Sequence, residues 1–103
     1  MITILHYEIH NAINDIDLPI GYEVLHVGTT TDKEGYEKIS IWCKVDVDPN
    51  YQPGMTEHVR FLVFGTGANM DELLNFPYQY IGSVKMSNKH TYHVFEVLNK
   101  SVV

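Results

Sequence analysis

Positive charge is scarce in this chain. Arg60 is its single arginine, and 7 basic residues face 13 acidic ones, for a formal charge of -6. That scarcity excludes binding of duplex nucleic acid or an anionic membrane through a broad basic face, because no patch is available to release counterions. Cysteine is rarer still. Cys43 is alone, so no internal disulfide can form, and its place between Ile41 and Val45 on one strand face reads as a small buried hydrophobe. Long apolar runs and a basic leader segment are missing, so neither a spanning helix nor a secretory signal is expected, and the protein is expected in the cytoplasm. Internal repeats, linkers and low-complexity stretches are missing too. The sequence carries no P-loop, no dinucleotide fingerprint and no nucleophile elbow. The paired carboxylates Asp46 and Asp48 fall on a loop with no apolar setting to raise a pKa. These absences argue for a protein that is not an enzyme and uses no cofactor.

What is present is alternation. At 103 residues, 45% hydrophobic and 12% aromatic, the chain has the size and composition of one globular domain with a thin core. Apolar and polar residues alternate over residues 2–10, 22–30, 38–47, 57–64, 78–86 and 90–98, which predicts a strand in each. Residues 11–17 read as a turn region, followed by a break at Leu18-Pro19-Ile20-Gly21. Residues 48–56 read as a loop and Ser87-Asn88-Lys89 as a hairpin turn. Asn69 to Leu74 reads as one helical turn, capped by Asn69 and ended by Pro77. The expected fold is mainly β, a six-stranded antiparallel sandwich or small barrel with at most one short helix. Several strands carry large groups on both faces, as in Phe61 and Val63 against Leu62 and Phe64. One face serves the core, and a second subunit is the simplest cover for the other, so a homodimer or homotetramer is expected.

Two motifs invite a metal and both fail on geometry. Asp46 to Glu57 has the acidic and amide spacing of a calcium loop, but Tyr51 stands where a sharp turn needs glycine, and Pro49 and Pro53 stiffen it. His6, Glu8 and His10 share one strand face, yet the two histidines are about 13 Å apart along a regular strand, too far to close on one ion. No metal is expected.

The ligand-binding candidates are Arg60, Trp42, Gly65, Thr66, Gly67, Tyr92 and His93. Arg60 offers a planar charged fork on a strand that runs into Gly65-Thr66-Gly67, where freed amides suit an anion. The same glycines also suit a strand-end turn needing positive φ. The competing role for Arg60 is structural, held by an acidic residue such as Glu57 or Asp46. Trp42 lies on the polar-leaning face of its strand, a base-stacking platform or interface anchor, and Tyr92 and His93 offer similar chemistry.

The order of several segments resembles a widespread family of short, mostly phage-encoded proteins of unassigned role. These are Ile16-Asp-Leu-Pro-Ile-Gly21, Val24-Leu-His-Val27, Ile41-Trp-Cys-Lys-Val-Asp46, Arg60-Phe with Gly65-Thr-Gly67, Tyr80-Ile-Gly82 and His93-Val-Phe-Glu96. A histidine commonly follows Gly-Thr-Gly in that family; here Ala68 does. The resemblance implies a phage immune-evasion sponge of the anti-CBASS kind, an oligomer in the cytoplasm of an infected bacterium. It would sequester a cyclic di- or oligonucleotide without cleaving it. Alternatives are an acidic protein–protein inhibitor of a host factor, a structural phage component, or a small calcium-binding β module.

Overall fold

A computed structural model describes residues 1–47 and 56–98. The alternating segments form strands: β1 Ile2–Ile9, β2 Ile13–Pro19, β3 Glu23–Thr31, β4 Glu37–Asp46, β5 Thr56–Gly65, β6 Tyr78–Lys85 and β7 Thr91–Val97. A 3-10 turn, Asp71–Asn75, lies between β5 and β6, and the Asn69 side chain accepts the Asp71 N–H at 2.8 Å. All pairings are antiparallel, in a three-stranded sheet ordered β1-β4-β3 and a four-stranded sheet ordered β2-β5-β7-β6. Among the described residues no ladder joins the two sheets, so the architecture is a sandwich of seven strands and not a barrel.

The extra strand corrects the expectation of six. β2 occupies the stretch that reads as a turn and a break. Asn14, Asp15 and Asp17 favour turns when considered alone. Here Asp15 faces Arg60 and Asp17 faces His58 across the ladder, while Ile16 and Leu18 point inward, and Leu18 is fully buried. Cross-strand partners on an edge strand outweigh intrinsic preference. The turn itself is shorter, and Asn14 ties it down. Its carboxamide oxygen accepts the N–H groups of His10 and Asn11 at 3.0 and 3.1 Å, and its amide donates to the Asn11 carbonyl at 2.6 Å.

The core lies between the sheets, where Ile39, Ile41, Cys43 and Val45 of β4 meet Val59 and Phe61 of β5 and Val94 of β7. Burial pushes the Cys43 thiol up to about 11. The sheets approach most closely where β3 lies along β6. Val27 there occupies the space beside Gly82, and a Cβ on Gly82 would come within 3.1 Å of it. The second apolar face of β5 and β7 is covered from within: Leu62 and Phe95 pack beneath Leu73 of the 3-10 turn, with Met70, Phe64 and Val97 around them. The segments at 48–55 and 99–103, including most of the Asp46–Glu57 loop, lie outside the described residues.

Candidate functional site

β5 carries most of the residues with chemical potential, and its two halves differ. Midway along it, Arg60 Nε and Nη2 donate to the two oxygens of Asp15 at 2.8 and 3.1 Å, a forked pair across the β2–β5 ladder. The hydrogen bond from Arg60 holds the Asp15 carboxyl below the ordinary carboxylate value, and the Arg60 guanidinium is raised in turn. His58 Nδ1 lies 2.9 Å from Asp17, and its Nε2 lies 3.8 Å from Asp15. The hollow beside this cluster measures about 220 Å³ and is bordered by Phe76 and Val97.

At its far end β5 delivers Gly65 to a turn in which the Ala68 N–H donates to the Gly65 carbonyl at 3.0 Å and Gly67 adopts φ +89. Arg60 is about 17 Å back along the strand, so guanidinium and turn do not meet. What does meet the turn is β7. Gly65 and Tyr92 sit opposite each other in the ladder and line two adjoining hollows of about 460 and 410 Å³. His10 and Lys38 border the larger one; Thr66, Lys89 and His90 border the smaller. The His90 and Tyr92 ring centres are 6.5 Å apart. A Cβ on Gly65 would sit 3.7 Å from the Tyr92 ring, an ordinary contact distance.

His93, next along β7, points to the opposite face and joins a chain of hydroxyls. Thr66 Oγ1 lies 2.9 Å from His93 Nε2 and 3.4 Å from the Thr91 carbonyl, and Ser83 Oγ lies 2.7 Å from His93 Nδ1. Tyr80 closes the chain on Ser83. The Thr91 carbonyl only accepts, so Thr66 donates to it and receives the His93 Nε2 proton; Nδ1 then accepts from Ser83. The chain locks Thr66 and the imidazole in place. Ser83 and Tyr80 are additions to the sequence candidates; counting back from the hairpin turn places Ser83 opposite His93.

Trp42 lies elsewhere, on the outer face of the three-stranded sheet. It stands between His6 and His26, with ring centres 5.4 and 5.3 Å away. Gly28 makes the space: a Cβ there would meet His26 at 2.9 Å and Trp42 at 3.3 Å. His6 Nε2 is 3.2 Å from the buried Ser40 hydroxyl, and Glu8 lies 3.5 Å from both His10 and Lys38. The seven sequence candidates thus fall in three places. Gly65, Thr66, Gly67, Tyr92 and His93 cluster at the end of β5, Arg60 is held midway along it, and Trp42 is on the other sheet. Among the described residues no three histidine, cysteine, aspartate or glutamate side chains converge as a metal site requires.

A further cleft, of about 490 Å³, opens between the sheets beside Glu23, Glu57 and Glu96. Glu96 is buried and accepts the Tyr22 hydroxyl at 2.7 Å; burial, then this bond, pushes the Tyr22 hydroxyl above its usual range. Glu96 is not a candidate from sequence. Its signal there is a charge in inward register with Val94 on a strand otherwise apolar on that face.

The chain belongs to a family described as a domain of unknown function, DUF7352, whose model matches residues 1–102. No curated protein and no solved structure matches the chain. No described helix is long and apolar enough to cross a membrane.

Proposed function

We propose that the protein is a non-enzymatic sponge that binds and sequesters a cyclic di- or oligonucleotide at the end of β5. The carrying observation is the meeting of Gly65, Thr66 and Tyr92 at two adjoining hollows bordered by Lys38, Lys89, His10 and His90. Of the chain's 7 basic residues, Lys38 and Lys89 stand beside this aromatic ring, with Lys38 shared between Glu8 and Asp32. Volumes of this size suit a nucleotide-sized ligand. Tyr92 supplies a face for a base, and the flanking lysines suit phosphates. Arg60 is not part of this site: it lies about 17 Å back along β5 from Gly65, with one edge of its guanidinium held by Asp15. The resemblance to phage-encoded proteins supports a role in disarming a bacterial alarm signal. The experiment is a thermal-shift and calorimetric screen against cyclic dinucleotides and cyclic trinucleotides, with the bound nucleotide recovered by heating. Stabilisation by one of them and recovery of an intact nucleotide are expected. No shift at millimolar ligand overturns the reading, and a cleaved product overturns its non-enzymatic part.

A second reading, an acidic inhibitor of a host protein, is favoured by the Glu23, Glu57 and Glu96 cleft, whose chemistry suits a basic side chain. That reading expects no response to any nucleotide and stoichiometric co-purification with a basic host polypeptide.

A further inference from the structure

A sheet edge exposes backbone N–H and C=O groups, and natural proteins guard such edges with prolines, charges, bulges or a covering element. This sandwich has four edges, β1, β3, β2 and β6. Three carry guards. β2 holds Asp15, Asp17 and Pro19. β3 is bulged between Val24 and His26 and lies along β6. β6 is bulged between Tyr80 and Gly82 and ends in Lys85. Among the described residues β1 has no proline, bulge or covering strand, with Glu8 its one formally charged residue. It pairs with β4 in unbroken register from Ile2 to Ile9 and contains no proline, glycine, lysine or arginine. Ile2, Ile4 and Leu5 are exposed at 67%, 57% and 38%. Glu8 is turned to Lys38 on its own sheet. Among the described residues nothing lies in ladder with its outer side.

We infer that β1 is the self-association edge of this protein, pairing antiparallel with β1 of a second copy about a two-fold axis. The two three-stranded sheets then run on as one sheet of six. A strand eight residues long supplies about eight inter-chain backbone hydrogen bonds. Pairing about a two-fold axis is self-complementary by construction. Centred on Leu5, it sets Leu5 against its own counterpart and Ile4 against His6, and so covers the exposed apolar groups on both faces. The same register places Glu8 opposite Ile2, so the two copies' carboxylates do not face one another. That offset favours a second copy over an arbitrary extended peptide. The inference stands apart from the ligand reading: Ile9 at the end of β1 borders the larger hollow, but the pairing is centred on Leu5, and Ile4 and Leu5, where it is tested, lie outside that hollow.

The test is light scattering together with cysteine cross-linking. At concentrations near 100 micromolar the protein is expected at twice its 11.8 kDa chain mass. Ile4→Lys and Leu5→Lys, on an exposed edge, are expected to give folded monomers, whereas Tyr78→Lys on the β6 edge leaves the dimer intact. In a Cys43→Ser background, Leu5→Cys is expected to form an inter-chain disulfide on mild oxidation, because opposed residues lie within bonding reach. Ile13→Cys on the β2 edge is expected not to. A monomeric native protein overturns the inference, as does a dimer that survives both lysine substitutions or cross-links through Ile13→Cys and not Leu5→Cys. Circular dichroism melts separate loss of pairing from loss of fold, and cross-linking in the otherwise native strand decides the question even if the lysine variants unfold.

Discussion

The two halves of β5 offer the same kinds of groups and end in opposite states. In its first half Arg60 and His58 face Asp15 and Asp17 across the ladder, and two of the guanidinium's five N–H donors are held by Asp15. At the far end, Gly65 and Thr66 open beside Tyr92 onto hollows with lysines and histidines at the rim. A lone arginine therefore announces a site only if the facing strand leaves it unoccupied. A charged residue's availability is decided by the register partner, which lies 45 residues away in sequence for Arg60 and Asp15.

The comparison depends on β5 holding both ends in one rigid frame, and the largest expected effect comes from breaking that frame. Phe61 lies between the two ends and is fully buried. Phe61→Ala removes its contacts and leaves a cavity, at a cost of about 3–5 kcal/mol measured by denaturant unfolding. In a domain this small such a loss is expected to leave part of the population unfolded, and a cost under about 1 kcal/mol would show that β5 is not the central support.

The ends are then separated by binding. Tyr92→Ala is expected to weaken cyclic-nucleotide affinity by about 1–3 kcal/mol, roughly 5- to 150-fold, with the fold kept. Arg60→Ala is expected to leave affinity unchanged and to lower the melting temperature slightly. The reverse pattern in calorimetry would return the site to Arg60 and reject the cleft.

Much of the fold is legible in the sequence because alternation records burial directly. Ile39, Ile41, Cys43 and Val45 alternate in sequence and are all buried in β4. The hairpin at Ser87-Asn88-Lys89 is readable because its turn chemistry is local, and Lys89 does adopt φ 71. β2 is not, since Asn14, Asp15 and Asp17 bear the signature of a turn, and only their partners on β5 make them a strand. The Arg60–Asp15 pair is hidden for the same reason: if β2 is a turn, no carboxylate stands opposite the guanidinium. Asp15, not Glu57 or Asp46, is the residue that holds it. Thr66 and His93 are readable as candidates, but the link between them requires the ladder that brings β7 beside β5.

A finer test of the open end is Gly67. Its φ of +89 lies in the region that side chains disfavour, although a Cβ there would meet nothing within 4 Å. Gly67→Ala is therefore expected to cost about 1 kcal/mol of backbone strain without steric conflict, read as a small shift in the denaturation midpoint. If the turn also sets the cleft, affinity falls with it. Unchanged affinity would show that Thr66 is positioned by His93 and Thr91 alone.

The smallest effect probes the closed end through pH. Asp15 is held below the ordinary carboxyl value of 3.8, chiefly by its hydrogen bond from Arg60. A carboxylate with a depressed folded-state pKa contributes stability above the unfolded value, and that contribution is lost as pH falls through the folded one. Arg60 stays charged throughout, so the protonation of Asp15 alone dissolves the pair. The melting temperatures of the native protein and Asp15→Asn should differ at neutral pH, and the gap should narrow only as pH drops below about 3.8 and approach zero below the folded value. The gap is expected to be small, because a pair this open to solvent is screened and its side chains are costly to order. Added salt should shrink it further at neutral pH. A gap that persists undiminished into strong acid would mean that Asp15 contributes through packing of β2 rather than through its charge. The closed end of β5 would then be closed by shape, and the contrast with the open end would no longer rest on electrostatics.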